Sequence, residues 1–549
     1  MNAIVTPLEM FYRWESEVPE QVFLRQSLGA DGWLELTWAD VANRVRRVAS
    51  FIESQDLAPG SNIALWSSNT CDWPVVDLAI QLSGHVSVPL YPGQDVDSAR
   101  YILEHGDSKL VFLGEFDQHR KSAEILTQGL TTIAMRGCEV ACDHVMDQLI
   151  ESHQPYADSP IPDAESLLTI VYSSGTTGNP KGVMLTHANP TPGMSLLEKW
   201  VDTAGADFIG ERGRLFSFLP MSHIAERGIV ELAGIYSNSS ISFSAGLDTF
   251  AEELRSVQPT LFFAVPRLWA KFKSGVDAMI PPEAQAALTE DEKEFIRAQL
   301  GLSKARCIIS AAAPIPNDIH QWYLNMGVKL REAYGMSETC GIGTLWTSDE
   351  MPTPGTVGVP VADVEMKISE EGEICFKTGA LMVGYYKNPE KTAEVVVDGW
   401  YHTGDRGHVG DDGFVRVTGR IGEVFKTTKG KFIHPSSIEN DFGVIPELGQ
   451  LMVFGHGKDQ PLLLTNLSDF GLPKPREEVQ VIIEEALSAI NAELPAHERV
   501  SQVFVSGNEW TIDSALLTPT MKIKRRTVEE HYSDWVEANL NTSSVVWES

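Results

Sequence analysis

The sequence predicts an α/β protein built from two domains. Helical and strand-like apolar patterns alternate over roughly the first 350 residues, which favours helix-covered and mostly parallel sheets. After about Pro354 short strands separated by Gly and Asp turns predict a small antiparallel subdomain. From Glu423 a mixed pattern predicts a small α+β domain, and 549 residues exceed the ~250 to 300 over which one core grows. We therefore predict an N-terminal domain at 1–420 and a C-terminal domain at 421–549.

Single elements follow from local patterns along the chain. Apolar residues recur at helical spacing over 38–52 and 75–82, so both segments are predicted as helices. Apolar, β-branched runs predict strands at 63–66 and 85–91. In the second half, strands are predicted at 373–377, 399–405 and 411–419, and the clearest helix at 477–492.

Composition and charge exclude several classes of function. No run approaches the ~20 apolar residues that span a bilayer, and no basic segment with an apolar core opens the chain, so we expect a cytoplasmic protein. The net charge of −32 weighs against nucleic-acid binding and against adhesion to anionic lipid through charge alone. Cys138 and Cys142 are the only close cysteines and lack nearby histidines, which predicts free thiols rather than zinc. Oligomeric state and peripheral membrane contact stay open.

A glycine- and hydroxyl-rich loop follows the apolar run at 167–172. Glycine allows backbone conformations in which several N–H groups point at one anion, hydroxyls add donors, and lysine adds positive charge. The residues concerned are Ser173, Ser174, Gly175, Thr176, Thr177, Gly178, Lys181 and Gly182. No Gly-Lys-Ser/Thr follows, so the loop is not a Walker A motif. Such clusters are also typical of surface turns. We favour a phosphate-binding loop because other segments of the chain carry groups that suit the rest of a nucleotide.

The segment at 331–339 combines residue types that suit a nucleotide. Tyr334 can stack on a base, Ser337 can donate to a phosphate, and Glu338 can bind a hard cation. The small side chains at 310–313, before Pro314, would let a flat ring approach the backbone. A solvated β-turn and a strand-to-helix turn are the alternatives for these two segments.

Two later segments add charged groups. Asp405 ends a Tyr-His-Thr-Gly-Asp turn, where its carboxylate can accept both hydroxyls of a ribose, and Arg420 can complete the contact. Lys522 stands close to the C-terminus in Thr-Pro-Thr-Met-Lys. The alternatives are a structural ion pair for Asp405 or Arg420 and an ordinary surface position for Lys522.

Taken in this order, the motifs resemble the adenylate-forming superfamily, which contains acyl-CoA synthetases, firefly luciferases and nonribosomal peptide adenylation domains. The resemblance covers residues 37 to 526. Three segments resemble long-chain fatty acyl-CoA synthetases in particular: Phe-Leu-Pro-Met-Ser-His-Ile-Ala-Glu-Arg-Gly at 218–228, Pro-Thr-Leu-Phe-Phe-Ala-Val-Pro-Arg-Leu-Trp at 259–269, and Leu-Thr-Pro-Thr-Met-Lys-Ile-Lys-Arg-Arg at 517–526. The resemblance implies a ligase that uses ATP and Mg²⁺ to convert a long-chain fatty acid to acyl-AMP, and then coenzyme A to form acyl-CoA.

The resemblance also implies a role for each motif residue. The residues implied to bind ATP are Ser173, Ser174, Gly175, Thr176, Thr177, Gly178, Lys181, Ala312, Ala313, Tyr334, Gly335, Ser337, Asp405 and Arg420. Among them, Tyr334 would stack on adenine and Asp405 would accept the ribose hydroxyls. Glu338 would bind Mg²⁺, together with the hydroxyl of Thr176. Lys522 would bridge the fatty-acid carboxylate and the α-phosphate in the first half-reaction.

Further implied roles concern the acyl group, coenzyme A and a moving domain. His223 would lie beside the acyl carboxylate, and segment 216–227 would help to wall the acyl pocket. The C-terminal domain would rotate about Gly422 after acyl-AMP has formed. This rotation would withdraw Lys522 and bring the coenzyme A loop, Lys429, Gly430 and Lys431, to the pantetheine channel.

The sequence departs from the family pattern at three places, and three rival functions stay open. Relatives usually carry Asp or Lys where this chain has Gly422, Arg where it has Lys377, and Gly-Gly-Ala-Pro where it has Ala-Ala-Ala-Pro at 311–314. The rivals are an enzyme that releases acyl-AMP or loads a carrier-protein pantetheine, a ligase of a non-fatty acid, and a non-catalytic nucleotide-binding regulator.

Overall fold

The structure is a computed structural model that describes residues 4–116, 120–173, 179–196, 212–348, 350–361, 363–518 and 521–548. Five residues predicted to bind phosphate, Ser174, Gly175, Thr176, Thr177 and Gly178, lie outside the described residues. Among the helices within these ranges, none combines the length and the apolar character needed to cross a bilayer. We call 4–420 the N-terminal region and 421–548 the C-terminal region.

An eight-stranded sheet occupies the centre of the N-terminal region. In spatial order its strands are Gly384–Tyr385, Lys181–Thr186, Leu167–Ser173, Val86–Leu90, Asn62–Trp66, Leu110–Leu113, Thr131–Ala134 and His144–Val145. The first two run antiparallel to their neighbours and the other six are parallel. The central strands Asn62–Trp66 and Val86–Leu90 are buried along their whole length, as expected for a parallel sheet with helices on both faces.

Two further sheets complete the α/β part of the N-terminal region. One contains, in spatial order, Arg214–Ser217, Ser240–Phe243, Val22–Ser27 and Trp33–Thr37. The other contains Leu261–Ala264, Cys307–Ser310, Leu330–Tyr334, Thr344–Leu345 and Val359–Pro360. Its first three strands are parallel, so the carboxyl ends of Cys307–Ser310 and Leu330–Tyr334 deliver two predicted site segments to the same edge.

Helices cover these sheets. In the N-terminal region, the helices whose bounds lie within the described residues include Pro7–Glu17, Trp38–Glu53, Asp72–Leu82, Val96–His105, Arg120–Leu126, Met146–Ser152, Ile224–Glu226, the π-helix Arg227–Leu232, Ala233–Ser237, Phe250–Val257, Pro266–Met279, Pro282–Gln285, Glu290–Gln299, Asn317–Asn325 and Pro389–Val395. Trp38–Glu53 begins with a capping box, in which Thr37 and Asp40 each accept the other's backbone N–H. The predicted helices at 38–52 and 75–82 are confirmed. The second begins three residues earlier, at Asp72; it is buried on all sides, so no amphipathic pattern marks its first turn.

The predicted antiparallel subdomain is also present. Its strands are Glu365–Ile368, Glu373–Lys377, Val396–Val397, Trp400–Val409 and Val415–Arg420. The last two are joined by a tight turn in which Gly413 has a φ of 80°, a left-handed value that favours glycine. Their register places Asp405 opposite Arg420.

The C-terminal region has cores of its own. Its four-stranded sheet contains Leu448–Phe454, Leu462–Leu467, Val503–Val505 and Val545–Trp547, and a two-stranded hairpin joins Phe425–Lys426 to Phe432–Ile433. Helices Pro435–Phe442 and Arg476–Glu493 pack on one face of the larger sheet, and helix Arg525–Ala538 packs on the other. Neighbouring residues Leu463 and Leu464 therefore enter different cores, as the two-residue period of a strand requires. The boundary at 420 stays a prediction.

Candidate active site

A cavity of about 1300 Å³ lies between the N-terminal and C-terminal regions. The sequence-predicted residues that line it are Ser173, Lys181, His223, Ala312, Ala313, Tyr334, Gly335, Ser337, Glu338, Asp405, Arg420, Gly422 and Lys522. These residues come from segments far apart in the chain, and the fold brings them to one place.

Three of the lining residues form a hydrogen-bonded group. The Tyr334 hydroxyl donates to Oδ2 of Asp405 at 2.6 Å, and Nε of Arg420 lies 2.9 Å from Oδ1 of the same carboxylate. Burial raises the pKa of Asp405 above its ordinary value, and the charge of Arg420 opposes this shift. Each oxygen of the Asp405 carboxylate therefore has a polar donor next to it at the wall of the cavity. A carboxylate held in this way is suited to accept hydrogen bonds from the two hydroxyls of a ribose.

The turn that presents Asp405 is held by Glu373, a residue that sequence reasoning did not assign. Oε1 of Glu373 accepts the N–H of Gly404 at 2.8 Å, and its Oε2 lies 2.7 Å from Nδ1 of His402. Gly404 has a φ of 73°, so its glycine is required by the turn. The Gly-Glu-Ile motif at 372–374 is the signal that could have led to Glu373.

The predicted adenine slot is formed by two backbone segments. Ala312 has a φ of 73°, a left-handed conformation that costs alanine about 1 kcal/mol or more. A side chain at Gly335 would bring its Cβ to 2.3 Å from the carbonyl oxygen of Gly341, so only glycine fits there. Glycine would adopt this conformation without strain, whereas alanine at this position is strained.

Glu338 lies in a short 3₁₀ helix, Ser337–Thr339, at the cavity wall. Its Oε1 accepts a hydrogen bond from the Tyr385 hydroxyl at 2.8 Å, and Nζ of Lys181 lies 5.4 Å from the centre of the Tyr385 ring. Tyr385 was not predicted, and no local sequence signal indicates it. A carboxylate that faces a solvent-filled cavity is a suitable ligand for Mg²⁺; the second predicted ligand, Thr176, lies outside the described residues.

Lys181 lies where the predicted phosphate loop returns to the sheet, as the first residue of strand Lys181–Thr186. Burial lowers its pKa, the charge of Lys391 adds to this shift, and that of Glu338 opposes it. The positive charge of Lys181 is thus held near Glu338 at the cavity wall, a position in which it can meet an anionic substrate group.

Lys522 lies in a short segment that we call the lysine hairpin, of which residues 517–518 and 521–523 are described. Leu517 and Ile523 form its antiparallel bridge, and Thr518 Oγ1 accepts the N–H of Lys522 at 3.1 Å. The side chain of Lys522 lines the cavity and is exposed to solvent there. Protein atoms of the cavity wall nevertheless lie close to it. Burial and then the charge of Arg420 lower its pKa, while Asp405 and Glu338 oppose the shift. The hairpin therefore carries a cationic group from the C-terminal region toward the predicted nucleotide site.

His223 caps the helix Ile224–Glu226, and its Nδ1 accepts the N–H of Ala225 at 3.1 Å. Burial lowers the pKa of His223 to about 4, and the charge of Lys522 adds to the shift. The ring is therefore neutral at physiological pH, and its edge faces Tyr91, with ring centres 6.4 Å apart.

The predicted acyl wall at 216–227 is divided between the cavity and the protein core. His223, Ile224 and Ala225 line the cavity. Arg227 does not: it is 1% exposed and pairs with Asp77, with Nη2 at 2.6 Å from Oδ1. Arg227 therefore connects this segment to the core instead of facing an acyl chain.

The predicted coenzyme A loop lies elsewhere. Lys429, Gly430 and Lys431 form the turn between strands Phe425–Lys426 and Phe432–Ile433, and they are not among the residues that line the cavity. Gly430 has a φ of 71°, and its N–H donates to the carbonyl of Thr427 at 2.9 Å. The orientation of the C-terminal region thus places Lys522 in the cavity and the coenzyme A loop outside it.

The chain is similar to named fatty acyl-CoA ligases and synthetases over nearly its whole length. The long-chain-fatty-acid–CoA ligase FadD15 of Mycobacterium tuberculosis is 26% identical, over 97% of this chain and 96% of the relative. Long chain acyl-CoA synthetase 2 of Arabidopsis thaliana is 24% identical, over 97% and 92%.

Solved structures show the same fold. ATP-bound MatB from Rhodopseudomonas palustris matches with a TM-score of 0.76 and 21% identity, over 97% of this chain and all (100%) of that one. The adenylation domain of a carboxylate reductase from Mycobacterium chelonae matches with a TM-score of 0.79 and 21% identity, over 97% and 91%. The α/β fold predicted from the sequence is confirmed.

Family models cover most of the chain. Residues 423–543 match the C-terminal domain of AMP-binding enzymes, and residues 11–386 match the AMP-binding enzyme family itself. The resemblance drawn from the motifs is confirmed, and the chain belongs to the family of AMP-binding enzymes.

Proposed function

We propose that this protein is a long-chain fatty acid–CoA ligase that works through an acyl-AMP intermediate. The observation that carries the proposal is the convergence of Tyr334, Asp405, Arg420, Glu338 and Lys522 in one cavity. A regulator that only bound a nucleotide would not need a lysine carried into the site by a second region. Relatives named as long-chain ligases are similar over nearly the whole chain, and three sequence segments point to the same class.

In the first half-reaction, a carboxylate oxygen of the fatty acid attacks the α-phosphorus of ATP. The new bond is the acyl–phosphate bond, the bond between the α- and β-phosphates breaks, and pyrophosphate leaves. Two anions must approach, so neutralisation of charge dominates the barrier. Lys522 supplies positive charge between the reacting groups, and Lys181 supplies it near the leaving phosphates.

Other residues hold the nucleotide and its metal ion. Asp405 accepts the ribose hydroxyls, Tyr334 stacks on the adenine, and Ser337 donates to the α-phosphate. Glu338 would hold Mg²⁺, together with the predicted ligand Thr176, and the ion would neutralise phosphate charge. The ring of His223 lies beside the acyl carboxylate and is neutral. It therefore adds no positive charge that would stabilise the carboxylate before it reacts.

In the second half-reaction, the thiol of coenzyme A attacks the acyl carbonyl carbon. The thiol releases its proton to solvent, a thioester bond forms, the acyl–phosphate bond breaks, and AMP leaves. The orientation seen here suits the first step, because Lys522 is in the cavity and Lys429–Gly430–Lys431 is outside it. Rotation about Gly422 would exchange the two, so one hinge serves both steps.

A second candidate acceptor is a carrier-protein pantetheine. It is favoured by the similarity to the A-PCP didomain of a carboxylic acid reductase from Segniliparus rugosus, which matches with a TM-score of 0.80 over 99% of this chain. Free coenzyme A is the acceptor we prefer, because the full-length relatives are named as CoA ligases.

The test uses the whole protein with ATP, Mg²⁺ and saturated acids of increasing length from butyrate to stearate. Pyrophosphate release measures the first half-reaction, and mass spectrometry with coenzyme A present detects the product. We expect acyl-CoA, formed fastest with palmitate or stearate. Acyl-AMP that accumulates beside free coenzyme A would support a different acceptor, and absence of pyrophosphate exchange with every acid would refute an adenylating enzyme.

A further inference from the structure

Arg525 anchors the lysine hairpin to two carboxylates of the C-terminal region. Its Nη2 contacts both carboxylate oxygens of Glu439, at 2.6 and 2.5 Å, and its Nε lies 3.1 Å from Oε2 of Glu423. Its Nη1 also donates to the carbonyl of Val453 at 3.2 Å. We call Arg525, Glu423 and Glu439 the arginine clasp.

The position of Arg525 in its own helix makes the clasp unusual. Arg525 is the first residue of helix Arg525–Ala538, where the aligned peptide dipoles place partial positive charge. A cation at this end is unfavourable by itself, so the two carboxylates must compensate for it. The side chain of Glu439 is only 14% exposed, and such a partly buried carboxylate holds its position through paired hydrogen bonds.

The clasp connects the lysine hairpin to the predicted hinge. Glu423 directly follows Gly422 in the 3₁₀ helix Ile421–Glu423. Gly422 has open space where a Cβ would lie, and it offers no side chain that could fix the following residues. Arg525 follows the hairpin bridge at Ile523 by two residues. The clasp is therefore a side-chain connection between the segment just after the hinge and the hairpin that carries Lys522.

We propose that Arg525 is a positioning residue for the first half-reaction, because it fixes the lysine hairpin to the segment that follows the hinge. The inference rests on the proposed function. If the hairpin moved freely, Lys522 would reach the α-phosphate only in part of its conformations. The second half-reaction does not use Lys522, so loosening the hairpin should leave that step nearly unchanged.

The test compares the two half-reactions in Arg525→Lys and Glu439→Gln. Lysine keeps the charge but cannot bridge two carboxylates, and glutamine removes the charge of the more buried partner. We expect ATP–pyrophosphate exchange to fall about 10- to 100-fold in Arg525→Lys, because small misplacements of a catalytic group have effects of this size. Transfer of a preformed acyl-adenylate to coenzyme A should stay within about twofold of the unmodified enzyme, since the displaced group takes no part in that step.

Arg297 provides a matched control. It also contacts two glutamates, Glu290 at 2.7 Å and Glu294 at 2.9 Å, and it donates to a backbone carbonyl. It lies in the N-terminal region and does not line the cavity. Arg297→Lys should therefore lower the thermal unfolding midpoint at most slightly and leave both half-reactions unchanged.

The outcomes separate this inference from the proposed function. Equal losses in both half-reactions, or unchanged pyrophosphate exchange in Arg525→Lys, would overturn the role of Arg525. If Arg525→Lys does not fold, Glu439→Gln decides by the same split between half-reactions. Failure of the unmodified protein to exchange pyrophosphate with any acid would instead refute the proposed function.

Discussion

Replacing Asp405 with asparagine tests the ribose site. Asparagine keeps the size of the side chain but removes its charge and one of its two acceptor oxygens. In the structure those oxygens lie 2.6 Å from the Tyr334 hydroxyl and 2.9 Å from Nε of Arg420, and the residue is 7% exposed. The proposed ribose hydroxyls would replace or share these donors, so the substitution removes acceptors that are held in place before ATP binds.

The expected magnitude follows from the bond that is lost. A hydrogen bond to a charged group contributes about 1.5 to 3 kcal/mol. Because 1.4 kcal/mol corresponds to a factor of ten, loss of one such bond should raise the KM for ATP roughly 10- to 100-fold. Loss of a negative charge alone would favour a polyanion such as ATP. A rise in KM would therefore report the missing acceptor and not the change in net charge.

The assay is pyrophosphate exchange at saturating fatty acid with varied ATP, beside calorimetric titration with ATP. Asp412→Asn is the control, because Asp412 pairs with Arg416 at 2.6 Å on the same hairpin but does not line the cavity. An unchanged KM together with a lowered unfolding midpoint in Asp405→Asn would refute the ribose role. That result would favour the alternative of a purely structural ion pair between Asp405 and Arg420.

Three other predictions concern the charges around the cavity. Lys522→Ala should lower pyrophosphate exchange on the order of 10²-fold or more and spare thiolation of preformed acyl-AMP; equal losses would contradict the assignment. Glu338→Gln should raise the Mg²⁺ concentration needed for half-maximal exchange, and an unchanged metal titration would remove Glu338 from the metal site. Because the pKa of His223 is lowered from 6.5 to about 4, the unfolded chain takes up this proton first as pH falls. The free energy of unfolding, measured by denaturant titration, should thus fall as the pH is lowered from 6.5 to 4, and it should fall more steeply than in His223→Gln. Equal dependence on pH in the two proteins would contradict the burial of a neutral ring.

The sequence predicted those parts of the site that depend on short segments. Tyr334, Glu338 and Asp405 each lie in a compact motif whose residue types suit one part of a nucleotide. The fold class followed from alternating patterns, because buried parallel strands such as Asn62–Trp66 are apolar along their whole length. These features are local, so a single sequence contains them.

Contacts between distant segments could not be predicted in the same way. Tyr385 reaches Glu338 only because strand Gly384–Tyr385 pairs at the edge of the large sheet. Arg227 belongs to a motif that suggested an acyl wall, yet its partner Asp77 lies on a helix far away in the sequence. Glu231, four residues further on, also pairs with Arg227, but the burial of this group depends on the tertiary packing that brings Asp77 to it.

The interface between the two regions bears on how the proposed rotation is controlled. Two arginines close to the interface pair within their own regions: Arg420 pairs with Asp405 in 4–420, and Arg525 pairs with Glu423 and Glu439 in 421–548. The regions approach closely at two glycines: a Cβ added at Gly93 would lie 3.4 Å from Cδ1 of Ile512, and one added at Gly443 would lie 3.5 Å from Cγ of Pro316. Gly422 adds no side chain that would favour one orientation. In the proposed mechanism, the attraction between Lys522 and the phosphates is a force that favours the adenylating orientation. Release of pyrophosphate removes much of that negative charge, so the chemistry of the first step itself weakens the contact that must break before the second.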